Sequence, residues 1–295
     1  MLARVFGALQ QQRWFDATRP FEYTINFTRG ACVWLLLTRR GVPETYVKFS
    51  EHISLQAEAQ RYAEASRHHS ALVPRYLGHA RHQGLDVMAC EAVDYVGLNV
   101  VQMRSPTLQR HVLSQLLAYF RAAGTVRLGA ALKPLANHEL AAAMQPYFDA
   151  TPQAARAQRW LGGETMGWIA RQPDVPQHGD LALNNLGLRT DRSLVLFDWE
   201  DLGAICLPGL DLFTLEMSLA GSVAALLQSR RDNGNPVQVF VGLACAAMDL
   251  ARDDYLAMTR VYALVFRFLK RNYGPGVRER ADELLAALAR ESGQR

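Results

Sequence analysis

The sequence predicts an α+β protein in two parts, a small β-rich amino-terminal lobe followed by a larger, mainly helical carboxy-terminal lobe. Two observations carry this. Up to about residue 93 the apolar residues fall in short runs with period-two alternation, separated by turn signals. From Leu108 onward they recur at helical spacing over long segments.

Taken in order, Tyr23, Ile25 and Phe27 alternate as in a half-buried strand, and Thr28-Arg29-Gly30 supplies a turn. Cys32 to Leu37 is β-prone, Arg40-Gly41 turns the chain again, and Thr45 to Phe49 is a third short run. Ser54 to Ser66 places Leu55, Ala59, Tyr62 and Ala63 on one helical face, with Ser54 as the expected N-cap. Val73-Pro74 ends that helix, and Tyr76 to His79 and Leu85 to Val93 read as two further strands. After Gly97 helices are predicted over Leu108 to Ala123, Glu139 to Phe148, Ala154 to Ile169, Leu210 to Ser229, Val237 to Met258 and Val261 to Asn272. One short β-like insert interrupts them, Leu186 to Leu188 and Leu194 to Phe197, joined through Arg189 to Arg192. The expected lobes are residues 1–93 and 94–295.

Composition narrows the function. The 295 residues are 49% hydrophobic and 20% charged, near the average for globular proteins. A net charge of +4 with scattered basic residues gives no stripe for a nucleic-acid partner. Cys32, Cys90, Cys206 and Cys245 are far apart and form no metal-ligand or disulfide pattern, which suits a reducing cytoplasm. No signal peptide is read at Met1 to Leu9, and the apolar stretches near Leu212 to Leu227 and Val237 to Leu250 are interrupted or too short for a membrane span, so no membrane partner is expected. Of 32 basic residues only Lys48, Lys133 and Lys270 are lysines, so a lysine at a special position carries information.

The strongest chemical pattern is His178-Gly179-Asp180, then Asn185, then Asp198-Trp199-Glu200 at the end of an apolar strand. Phosphoryl transfer uses this set of groups: a carboxylate to take a hydroxyl proton, and an amide with a second carboxylate to hold magnesium on nucleotide phosphates. H-G-D-x-x-x-x-N followed by an apolar strand ending in D-W-E resembles the catalytic and metal-binding core of the aminoglycoside phosphotransferase and choline kinase family, whose fold is protein-kinase-like. The resemblance implies that Asp180 is the catalytic base, that His178 braces its loop, and that Asn185 and Asp198 are the Mg2+ ligands. It also implies that Asp211 supports the loop by hydrogen bonds.

In the front lobe Lys48 sits in Tyr46-Val47-Lys48-Phe49. The resemblance implies that it holds the α- and β-phosphates of ATP and pairs with a glutamate of the next helix, Glu58 being the best partner and Glu64 the alternative. Gly30 is the sole glycine of the expected phosphate loop. The stretch Ala89 to Val93, with Glu91 and Val93, is the expected adenine-binding hinge. The acceptor is expected to be a small hydroxylated molecule, a sugar, an amino alcohol or an aminoglycoside, with Glu216, Asp249, Asp253 and Asp254 as available carboxylates. Trp199 is expected in the core, and His68, His69, His79 and His82 in solvated or capping roles. The rival readings are a non-catalytic nucleotide-binding pseudokinase and a protein kinase. The latter is disfavoured because no D-F-G, glycine-rich loop or A-P-E-like segment is present.

Overall fold

The computed structural model describes residues 1–27, 32–123, 137–150, 163–272 and 275–293. Its contacts divide into two compact units that are not contiguous in sequence. One comprises Met1–Gly97 with Leu186–Leu202, the other Leu98–Asn185 with Gly203–Arg295.

The first unit opens with a helix the sequence reading did not anticipate, α1 (Leu2–Gln11), which buries Val5, Ala8 and Leu9. Strands β1 (Glu22–Phe27), β2 (Val33–Arg39), β3 (Val42–Ser50), β4 (Tyr76–His82) and β5 (Leu85–Glu91) form an antiparallel sheet in the order β1-β2-β3-β5-β4. The alternation of side chains along a strand sorts the sheet into two faces. Leu35, Leu37, Val47, Phe49, Val87 and Ala89 pack with α1 and Phe15 into one core cluster. Trp34, Leu36, Tyr46, Lys48, Met88 and Cys90, one position out of phase, line a cavity instead. A one-residue slip would exchange the two sets, so register and pocket are specified together.

Helix α2 (Gln56–His68) follows β3. Its N-cap position is held by Leu55, with no side-chain capping bond. Ser54, expected there, sits one residue earlier, where its Oγ accepts from the Gln56 amide at 3.3 Å. A second sheet of the first unit, β6 (Tyr95–Gly97), β7 (Leu186–Arg189) and β8 (Leu194–Leu196), contains the expected hairpin and the short β6, which the sequence reading missed. Gly187 is required here, because a Cβ at that position would stand 2.3 Å from the Tyr95 ring.

The second unit is helical: α3 (Pro106–Ala123), α4 (Asn137–Asp149), α5 (Gly163–Arg171), α6 (Leu210–Ala220), α7 (Val223–Ser229), α8 (Pro236–Ala247), α9 (Arg252–Ala257), α10 (Thr259–Leu269) and α11 (Pro275–Gly293). Two segments read as continuous helices are in fact pairs. Leu210 to Ser229 breaks at Gly221, whose φ of +71° ends α6 in the left-handed conformation. Val237 to Met258 breaks between α8 and α9 around Asp249, which also has positive φ. The amino-terminal part of the helix expected over Ala154 to Ile169 lies outside the described residues, as does Gly30. Among the described residues no single helix is long and apolar enough to cross a membrane; α6 and α7 together would be, but are bent by 111°.

Candidate active site

The cavity of the first unit has a volume of about 750 Å³. Lys48 reaches it from β3, flanked in register by Trp34 on β2 and Met88 on β5. Its Nζ donates to both carboxylate oxygens of Glu58, at 2.9 and 2.8 Å, and to Glu200 Oε2 at 3.1 Å. Glu58 is therefore the partner; Glu64 pairs with Arg67 instead. Burial alone would push the Lys48 ammonium down, but the two carboxylates beside it more than offset this and raise it above the ordinary lysine value. Burial also raises the Glu58 carboxyl, with the like charge of Glu200 adding to it and Lys48 and Arg61 opposing it. The lysine is thus firmly charged, against two carboxylates that a polyanion can relieve of it.

Asp198, Glu91 and Val93 line the same cavity, so five of the expected site residues, with Lys48 and Glu58, meet on one pocket. Asp198 has φ +63° and ψ +57°, a left-handed conformation uncommon outside glycine and the short polar residues. It opens a single tight turn, Trp199–Asp201, whose Glu200 carbonyl accepts from Arg61 Nη1 at 2.9 Å. Trp199 anchors that turn: fully buried, it donates Nε1 to Leu196 O at 2.9 Å and stacks on His69. His69, expected to be solvated or capping, is buried at the C-terminus of α2 because this stacking holds it. At the far wall the amides of Glu91 and Ala92 are engaged by Arg75 O and Glu44 O, so Val93 is the first residue beyond the ladder. Two aromatic pairs border the cavity, Trp34–Tyr46 at 5.5 Å and Tyr95–Phe197 at 4.3 Å between centroids, surfaces that suit a planar heteroaromatic ring.

In the second unit His178, Asp180 and Asn185 share one loop. Asp211, fully buried in the first turn of α6, accepts from the amides of His178 at 2.6 Å and Gly179 at 3.0 Å and from the Tyr119 hydroxyl. Burial raises this carboxyl, while its hydrogen bonds work the other way. Gly209 before it has φ +90°, and a Cβ there would meet the Tyr262 hydroxyl at 2.6 Å. His178 is buried, and its Nδ1 accepts from the Asp180 amide at 3.3 Å, closing the loop on itself. Asn185 donates Nδ2 to Asp180 O at 2.8 Å and to Asp180 Oδ2 at 3.3 Å. Its Oδ1 accepts from Asn184 Nδ2 at 2.8 Å, and the second lone pair of that oxygen is the one a cation would use. Asn185 and Asp198 offer oxygen donors alone, the chemistry that Mg2+ takes.

The fold and these two constellations can be compared with solved structures. A thermostable mutant of aminoglycoside phosphotransferase APH(4)-Ia, in complex with ADP and hygromycin B, matches at 12% identity over 96% of this chain and 97% of its own, with a TM-score of 0.58. ADP-bound aminoglycoside phosphotransferase APH(2'')-Ib matches at 12% identity over 97% of both chains, with a TM-score of 0.60. Ethanolamine kinase of Plasmodium vivax matches at 10% identity over 94% of this chain and 84% of its own, with a TM-score of 0.59. The chain has the fold of the aminoglycoside phosphotransferases and choline/ethanolamine kinases. No family model and no curated protein matches it by sequence.

Within this kinase-like fold some contacts of the candidate site had no signal in the sequence. Glu200 joins Lys48 across 152 residues, and Lys270 places Nζ 2.6 Å from Asp180 Oδ1 across 90. One expectation is overturned. Glu216, counted among the carboxylates available to an acceptor, is buried, bonded to Arg230, Gln238 and the Tyr255 hydroxyl, and so spent on the interior. Asp249, Asp253 and Asp254 are exposed.

Proposed function

We propose that the chain is a small-molecule kinase of the cytoplasm, moving the γ-phosphoryl group of ATP, with Mg2+, to a hydroxyl of a small acceptor. Residues 1–93 would cover the nucleotide, and the remainder would carry the base and the acceptor side. The observation that carries this reading is the Lys48–Glu58 pair on the wall of a cavity that Asp198 also lines. A half-buried ammonium held by carboxylates, beside an exposed carboxylate and under aromatic walls, suits a nucleotide polyphosphate with its cation.

Lys48 would bind the α- and β-phosphates. Glu91 and Val93 would take the base through their backbone groups, and the Gly30 loop would cover the phosphates. Asn185 and Asp198 would hold Mg2+, which supplies charge neutralisation on the phosphate oxygens. Asp180 orients the acceptor hydroxyl and takes its proton as the new O–P bond forms and the bond to the departing diphosphate breaks. His178 and Asp211 keep the Asp180 backbone in place, so that positioning is built in before substrate arrives.

The test is a melting-temperature titration with Mg-ATP followed by tracer transfer from labelled ATP to a panel of hydroxylated compounds. A Mg-dependent shift and a phosphorylated product are expected. A shift without any product would make the chain a nucleotide-binding pseudokinase, and no shift would remove the nucleotide reading altogether.

A further inference from the structure

Lys270 stands in the tight turn Lys270–Asn272 that continues α10, and its side chain is only 4% exposed. Its Nζ donates to Asp180 Oδ1 at 2.6 Å, while the other oxygen of the same carboxylate accepts from Asn185 at 3.3 Å. Both oxygens of the proposed base therefore have a donor, and its negative charge has a cation beside it. A buried ion pair is a poor device for stability alone, since an apolar pair of similar volume serves as well or better. The chain also uses lysine in only three places. One of them meets the carboxylates of the nucleotide cavity and another meets Asp180.

The charge balance bears on the acceptor. Drawing a cationic acceptor out of water takes uncompensated carboxylates near its amine. Here Asp180 is compensated by Lys270, and Glu216 is compensated inside the protein by Arg230. A hydroxyl bonded to Asp180 Oδ1 lies within roughly 5 Å of the Lys270 ammonium, given an ordinary hydrogen-bond length of about 2.7 Å. An ammonium on the carbon beside that hydroxyl can come comparably near, where like charges repel appreciably in a partly buried setting.

Resting on the kinase reading above, we infer that Lys270 is a positioning and specificity-determining residue: it fixes the Asp180 carboxylate and keeps a cationic amine away from the reacting hydroxyl, so that the acceptor is a neutral hydroxylated compound.

The experiment compares matched acceptors that differ in one amine: glycerol with 2-amino-1,3-propanediol, and glucose with glucosamine. Each is offered with labelled ATP to wild type, Lys270→Arg and Lys270→Gln at neutral pH. Wild type and Lys270→Arg are expected to favour the neutral member at least tenfold in kcat/KM. Lys270→Gln is expected to lose about tenfold in kcat on the neutral member, with little change in KM, and to shift the ratio at least tenfold toward the amine. Wild type using the aminated member equally well or better would overturn the inference, and that result does not depend on a variant folding. An unchanged ratio in a Lys270→Gln protein that keeps its Mg-ATP melting shift would overturn it too. Absence of the shift in wild type would instead strike the kinase reading, and this inference with it.

Discussion

Lys48 Nζ bridges both carboxylate oxygens of Glu58, at 2.8 and 2.9 Å, from the middle strand of a five-stranded sheet to the helix that follows it. The pair ties the two elements on the wall of the cavity. Replacing Lys48 by Met leaves Glu58 and Glu200 without their counter-ion and removes the cation proposed for the phosphates. Turnover is expected to fall by about 10² to 10³, in the range seen when one preorganised electrostatic group is removed. Steady-state kinetics at saturating ATP measure it.

The same pair gives stability a pH signature. Lys48 is held above its ordinary value of 10.5, so its folded value exceeds that of the unfolded chain. Its contribution is fully present below that ordinary value and is lost as pH rises from there through the folded value. Denaturant unfolding of wild type and Lys48→Met should show a stability gap that is constant near neutrality and narrows in strong alkali. A gap that widened with pH would contradict the sign.

Asp198 and Asp180 should separate binding from chemistry. Asp198→Asn is expected to lose most of the magnesium-dependent part of the ATP melting shift, because a neutral amide cannot offset the charge that metal and phosphates bring together. Asp180→Asn should keep that shift while transfer drops by about 10² to 10⁴, the range for loss of a general base. Calorimetry with Mg-ATP and product formation, run on both variants, read the two effects independently.

Asp211 is the structural counterpart. Asp211→Leu would strand the Gly179 amide and the Tyr119 hydroxyl proton in a dry interior, and leave the His178 amide with the Tyr119 oxygen in place of a carboxylate. Each orphaned donor costs about 1 to 3 kcal/mol, so a loss of about 3 kcal/mol or more is expected by chemical denaturation. Asp211→Asn, which keeps an acceptor oxygen, should lose less.

Much of this site was legible in the sequence, for physical reasons. Tyr46, Lys48 and Val47 declare their faces by period-two alternation, and the hairpin before Asp198 is announced by two apolar runs around a polar turn. Glu58 follows Lys48 closely enough for one strand and one helix to place it. What was not legible depends on distant residues. Glu200 and Lys270 carry no local pattern that points to Lys48 or Asp180. Glu216 reads as an ordinary polar break in an apolar helix until Arg230 and Tyr255 are brought against it. Helix α1 was passed over because its ten residues end in glutamines and their apolar face has meaning only against the sheet. The break at Gly221 did have a signal in the glycine itself, which the long apolar stretch obscured.

The first unit is assembled from two stretches of chain, with residues 98–185 intervening. During synthesis the five-stranded sheet can pair as soon as residue 91 has emerged, yet β6 must wait for β7, and Leu72 O for the Leu196 amide that binds it at 2.7 Å. A ribosome must therefore deliver about two thirds of the polypeptide before the cavity has its Phe197–Glu200 wall. Closing so long an intervening segment carries an entropic cost that grows only slowly with length, but it raises contact order and slows folding. A fragment ending at Gly97 would have the sheet and the Lys48–Glu58 pair and still lack Asp198, so the cavity reaches its full complement of side chains only once the later stretch of the first unit has been made.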